Sequence, residues 1–220
     1  EYRRADAAAV PISTNDGVER RMEERGVSLL KTKIGSPYVV AALDELRRDG
    51  RYSGIVGWEA NGGFLTGSDI SLSASTLNAL PTRDATLPIL ANLFAAAEQG
   101  SSLSALWNRL PARFGRAGLL DNFPVTASQT ILAQLIPPGD VIEVRFGEAG
   151  QVVDRSRARV SGAPLAPSAT EKWQQSKATL ARFFTAALGF DDIVRINALD
   201  GLRIYFYNGG VGHVRPPGNA

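Results

Sequence analysis

Cysteine is absent from the 220 residues, histidine and methionine occur once each, and lysine occurs four times against 20 arginines. Without cysteine there is neither a disulfide nor a thiolate metal site, which fits a reducing compartment, and we expect a cytoplasmic protein. No apolar run approaches the roughly 20 residues of a membrane-spanning helix, and no secretory leader is visible, so no membrane partner is expected. An excess of one charge is missing too: 24 basic residues face 22 acidic ones, a net charge of +2. The pI of about 9.1 reflects that near balance. A nucleic-acid binder gathers its positive charge into a patch; here the basic residues are scattered in ones and twos, so no nucleic-acid partner is expected.

What remains is an ordinary globular composition, 44% apolar and 21% charged, in a chain long enough for one large or two ordinary domains. The segments 6–12, 26–33, 52–58 and 62–67 read as strands, 13–25 as a polar turn leading into a helix, and 36–48 and 81–99 as helices. Ser36 and Pro37 look like the N-cap and first residue of their helix, Thr82 like the cap of the third, and Pro88 like a bend near its start. Strands alternating with helices of this length predict a mixed-sheet, three-layer α/β/α domain. After about residue 110 the pattern changes. A helix is expected over 127–136, a long amphipathic one within 166–188, a strand over 139–146, and a three-strand meander over 192–216 with turns at Asp200-Gly201 and Asn208-Gly209-Gly210. That predicts an α+β domain with an antiparallel sheet and two helices, over 111–220.

Three stretches carry candidate chemistry. In "GWEANGGFL" (57–65) a carboxylate, an amide and two glycines follow an apolar strand. Ligands of open α/β sheets gather beyond the carboxyl ends of strands. Glu59 accepts hydrogen bonds while Asn61 both accepts and donates, a combination suited to sugar hydroxyls. Gly62 and Gly63 leave room for close approach. In "KTKIGSP", Lys31 and Lys33 precede a helix N-terminus, where free N–H groups and the helix dipole favour anions. In "GHVRPPGNA", Arg215 precedes a Pro-Pro-Gly-Asn turn, a fork of donors beside exposed amides that suits phosphate. His213, two residues earlier, is given no catalytic role. Arg155, Arg157 and Arg159 alternate along a strand and read as a solvated face.

Together "VPISTNDGVE", "KTKIGSPYVV", "GWEANGGFLTGSD", "LPTRDATLPIL" and "DGLRIYFYNGGVGHVRPPGNA" resemble the α-D-phosphohexomutases, the phosphomannomutase and phosphoglucomutase enzymes. The resemblance maps residues 1–110 onto that family's third domain, which carries the sugar-reading loop. It maps 111–220 onto the fourth, which carries a phosphate loop. It implies that Glu59 and Asn61 hold sugar hydroxyls, with Lys33 beside them. It also implies that Arg215, Gly218 and Asn219 hold a phosphate, with Pro217 where the family usually has serine. Gly63 stands where the family often has histidine.

Two family motifs are absent, the phosphorylated serine of domain one and the Asp-rich magnesium loop of domain two. "TASQT" (126–130) imitates the first but begins a helix in the wrong domain, so Ser128 is rejected as a nucleophile. The resemblance therefore implies a recognition half of an enzyme that interconverts hexose 1- and 6-phosphates, mannose and/or glucose, through a bisphosphate. The phosphoserine, the Mg²⁺ and domains one and two would lie outside this chain, which alone is expected to be inactive. The start at Glu1 without methionine fits a piece of something longer. A stand-alone sugar-phosphate binding module is the alternative.

Overall fold

The computed structural model describes residues 5–71, 75–139, 141–147, 152–154 and 165–216. The chain divides into two compact units, Glu1–Ala117 and Gly118–Ala220, each with its own sheet and core.

In the first unit β1 (Ala7–Pro11), α1 (Asp16–Glu24), β2 (Ser28–Thr32), α2 (Ser36–Asp49), β3 (Ile55–Trp58) and β4 (Phe64–Thr66) follow one another. The sheet order is β2-β1-β3-β4, with β1 parallel to both β2 and β3 and β4 antiparallel to β3. Every residue of β1 is buried, as expected of a central strand covered on both faces. Its alanines keep the sheet surface flat, and α2 lies against it through Val39, Ala42, Leu43 and Leu46. That spacing is one face of a helix, and burying each of its larger side chains contributes about 1.5–3 kcal/mol. The N-cap of α1 is Asn15, whose side chain accepts from Gly17 N at 2.8 Å. The Asp16 carboxylate takes both arms of Arg113, at 2.8 and 2.7 Å, and so pins residue 113 back onto α1.

The segment after β4 departs from expectation. A helix over 81–99 was expected, but α3 spans Thr86–Glu98. Residues 80–84 instead run along the free edge of β4. Thr66 N donates to Leu80 O at 3.1 Å, and Phe64 and Asp84 exchange backbone bonds at 3.1 and 2.9 Å. Asp84, not Thr82, then caps the helix, its carboxylate accepting from Thr86 N at 2.8 Å and Leu87 N at 3.2 Å. Pro88 falls in the first turn, where its missing N–H has no partner to lose. A short antiparallel pair, β5 (Ile70–Ser71) with β6 (Thr76–Leu77), and the helix α4 (Leu103–Trp107) were not foreseen. Helix α3 packs chiefly against α4 and leaves Ile89, Leu90, Leu93 and Phe94 exposed.

The second unit holds α5 (Val125–Leu135), β7 (Glu143–Phe146), β8 (Val152–Asp154), α6 (Pro167–Ala181), β9 (Ile193–Asn197), β10 (Leu202–Phe206) and β11 (Val211–Val214). Its sheet is antiparallel throughout, in the order β11-β10-β9-β7-β8. Leu132, Val144, Trp173, Leu180, Ile196 and Ile204 are among its core. Helix α6 ends at Ala181, inside the segment 166–188 expected to hold it. The N–H groups of Phe183 and Phe184 both bond Leu180 O at 3.0 Å, which tightens the last turn and ends it. Phe184 then stacks edge-on against Phe190, with centroids 5.0 Å apart. Strand β8 was not foreseen.

Candidate functional site

Because β2 and β3 both run parallel to β1, their carboxyl ends lie along one edge of the sheet. Lys33 and Glu59 leave the sheet there, each one residue past its strand. Glu59 is only 8% exposed. Taking a carboxylate out of water costs several kcal/mol unless hydrogen bonds or countercharge compensate. Here the Ser36 hydroxyl donates to Glu59 Oε2 at 2.6 Å. Ser36 is therefore not the N-cap; Gly35 holds that position without a side-chain cap bond, and the serine hydroxyl serves the neighbouring loop instead. One hydrogen bond thus ties the β2–α2 connection to the end of β3.

The loop after Glu59 closes on itself. Glu59 N donates to Gly63 O at 2.9 Å, and Gly62 N to Glu59 O at 3.1 Å. Asn61 is exposed, and its side-chain oxygen accepts from Gly63 N at 3.1 Å, so the amide holds its own turn and offers mainly its NH₂ to a ligand. Gly62 has φ 91°, a backbone state that favours glycine. Gly63 has a different reason to lack a side chain. A Cβ there would meet Arg83 Cδ at 2.7 Å and Cγ at 2.8 Å. The room that the sequence assigns to an approaching ligand is occupied by an arginine.

Arg83 is the functional-looking residue that sequence reasoning missed. Its Nε lies 3.9 Å from Glu59 Oε2, and its side chain is 57% exposed. The pairing of Phe64 with Asp84 is what sets it beside Gly63, and no local motif announces that long-range pairing. The two lysines part ways. Lys31 is paired with Glu19 at 2.5 Å. Lys33 is exposed, its Nζ 5.9 Å from the Tyr38 ring centre.

In the second unit Arg215 follows the end of β11 and is half-buried, its Nε donating to Pro216 O at 3.2 Å. Strand β11 ends at Val214, one residue before Arg215. His213 Nε2 donates to Asp200 O at 2.8 Å. Burial pushes its pKa below the ordinary 6.5, against the pull of the Asp200 carbonyl, and the charges of Arg203 and Arg215 act in the same downward direction. Pro217, Gly218 and Asn219 lie outside the described residues, as do Arg155, Arg157 and Arg159. Ser128 sits in α5 with its hydroxyl turned to Pro124 O at 3.4 Å, a helical back-bond rather than a nucleophile's setting.

A buried carboxylate on an α/β edge, followed by a unit built on an antiparallel sheet, agrees with what the chain is similar to. Residues 2–114 match the model of phosphoglucomutase/phosphomannomutase, alpha/beta/alpha domain III. The chain belongs to the phosphoglucomutase/phosphomannomutase family. It is 33% identical over 218 residues to the phosphomannomutase of Sinorhizobium fredii (strain NBRC 101917 / NGR234), a match covering 98% of this chain and 36% of that protein. The phosphomannomutase of Salmonella muenchen matches to the same extent, 33% over 218 residues and 36% of its length. The phosphoglucosamine mutase of Thermobifida fusca (strain YX) is 30% identical over 149 residues, 66% of this chain and 29% of that protein. The chain thus spans about a third of the length of the phosphomannomutases it matches, and the matching part is their C-terminal part.

Proposed function

We propose that this chain is the recognition part of a phosphohexomutase that interconverts hexose 1-phosphate and hexose 6-phosphate, with mannose and/or glucose as the sugar. The observation that carries the reading is the buried Glu59 carboxylate, held by Ser36 at a strand's carboxyl edge and followed by a loop whose backbone is closed. A carboxylate fixed in this way accepts from ring hydroxyls without reorganising. The Asn61 NH₂ donates beside it, and Lys33 supplies a positive charge on the same edge. Arg215, with Gly218 and Asn219, holds the phosphate that is not being transferred. The sugar must turn over between two half-reactions: a phosphoserine gives its phosphoryl group to one end, and takes the phosphate from the other. A carboxylate that bridges two adjacent hydroxyls tolerates either orientation, which is the role we give Glu59.

The phosphoserine belongs to domains preceding this part in a complete enzyme. The family's Mg²⁺ does not fit here: among the described residues no three His, Asp or Glu side chains gather where an ion could bind. No helix among the described residues is long and apolar enough to cross a membrane, and a cysteine-free chain suits the cytoplasm, where we place the enzyme.

Calorimetric titration of the chain with mannose 1-phosphate and glucose 1-phosphate tests the reading. Weak binding without turnover is expected, and Glu59→Gln should weaken it on the order of tenfold, the loss of hydrogen bonds to a charged acceptor. No heat from the wild-type chain, or binding indifferent to Glu59→Gln, refutes it.

A further inference from the structure

We infer that Arg83 is an anion-binding residue of the sugar-reading loop, one that grips the phosphate end of the same hexose phosphate whose hydroxyls Glu59 accepts. The inference rests on the function proposed above and adds to it a second phosphate contact, on the first unit itself.

Four observations converge on it. The backbone at 83–84 is fixed on both sides, by the Phe64–Asp84 bridge and by the Asp84 cap of α3, so the side chain starts from a rigid point. The first part of the side chain is laid across Gly63, filling space that any other residue at 63 would contest. The guanidinium then reaches the rim of the loop, 57% exposed, and among the described residues it donates no hydrogen bond. Its nearest charge is Glu59 Oε2 at 3.9 Å, beyond hydrogen-bond length.

A guanidinium that served only as a counterion would close to a forked pair with the carboxylate, as Arg113 does with Asp16 at 2.7 and 2.8 Å. Arg83 stops short. Glu59 is already held by Ser36, so the five guanidinium N–H donors of Arg83 remain for a ligand. Carboxylate and guanidinium stand 3.9 Å apart at one rim, a pairing that accepts from a hydroxyl and donates to a phosphate oxygen on the same small molecule.

Chemical-shift titration of the ¹⁵N-labelled chain, with glucose 1-phosphate and with unphosphorylated glucose, tests this in wild type, Arg83→Gln, Arg83→Lys and Glu59→Gln. Arg83→Gln should weaken glucose 1-phosphate on the order of tenfold and leave glucose unchanged. Arg83→Lys should recover part of the loss by restoring the charge without the fork. Glu59→Gln should weaken both ligands. Equal losses for both ligands in Arg83→Gln make Arg83 a support for Glu59 and overturn the inference. No loss in Arg83→Gln while Glu59→Gln still weakens binding overturns it and leaves the proposed function standing. Binding absent in wild type, or untouched by Glu59→Gln, removes both.

Discussion

The Ser36 hydroxyl, in the first turn of α2, donates to Glu59 Oε2 at 2.6 Å across the gap between two strand ends. This bond relieves the burial of a carboxylate and fixes its direction at once. Ser36→Ala should therefore act on two readouts. Stability of the first unit should fall by about 1–3 kcal/mol, the cost of leaving a buried polar group unsatisfied. Hexose 1-phosphate affinity should fall severalfold because the carboxylate is no longer aimed. Ser36→Thr keeps the hydroxyl and should restore both. Denaturant unfolding and calorimetry on the same preparations check it, and an unaltered affinity in Ser36→Ala would show that Glu59 needs no such aim.

Gly63 and Gly62 stand side by side for different reasons, and alanine separates them. Gly63→Ala brings a methyl to 2.7 Å from Arg83 Cδ, so the arginine must swing away, while the backbone at 63 is not in the left-handed region. We expect little change in stability and a loss of hexose 1-phosphate affinity that matches Arg83→Gln. Gly62→Ala meets nothing in space but forces an L-residue to φ 91°. It should cost on the order of 1 kcal/mol of stability through strain. A Gly63→Ala protein that binds as wild type does would mean that the position of Arg83 is irrelevant to binding.

Much of the first unit was legible because its signals are local. The unbroken apolar run through Ala7–Val10 could only be a covered strand, and Val39, Leu43 and Leu46 repeat at helical spacing. Glu59 could be placed at a strand end from its position after Ile55–Trp58. The meander Ile193–Val214 announced itself through the glycines at its turns. What failed was of another kind. Residues 81–85 have a composition that a helix tolerates, and only the open edge of β4, formed by residues far earlier in the chain, draws them into extended pairing. Ser36 satisfies every local rule for an N-cap, and only the burial of Glu59 recruits its hydroxyl elsewhere. Arg83 was hidden for both reasons. Its place depends on the edge pairing, and its significance depends on a glycine twenty positions away.

Asp16 offers a pH test confined to the first unit. Burial raises its pKa, but the hydrogen bonds and charge of Arg113, helped by Arg20, outweigh that and hold it below the ordinary 3.8. A carboxylate with a depressed native pKa contributes stability above its unfolded value, and that contribution drains away as pH falls through the native one. Asp16→Asn should therefore be less stable than wild type at pH 7, with the difference shrinking as pH drops below about 4. Denaturant midpoints measured from pH 7 to pH 3 check this. A difference that stays constant across the range would mean that the pair contributes packing and no charge.

His213, the single histidine of the sequence, gives the matching test in the second unit. Burial keeps its pKa below 6.5, and Arg203 and Arg215 push the same way while the Asp200 carbonyl opposes them. The native state therefore resists a proton that the unfolded chain accepts. Stability should be complete above about pH 6.5 and fall as pH drops below it, levelling off once the native imidazole is itself protonated. One imidazole resonance should titrate below 6.5, and His213→Gln should flatten the decline in denaturant midpoint between pH 7.5 and 5.5. Arg215→Ala should move that resonance upward by removing a nearby positive charge, and a bound phosphate at Arg215 should do the same. The histidine is thus a reporter for the proposed phosphate contact. A resonance indifferent to Arg215→Ala would mean that this guanidinium's charge is not felt beside β11.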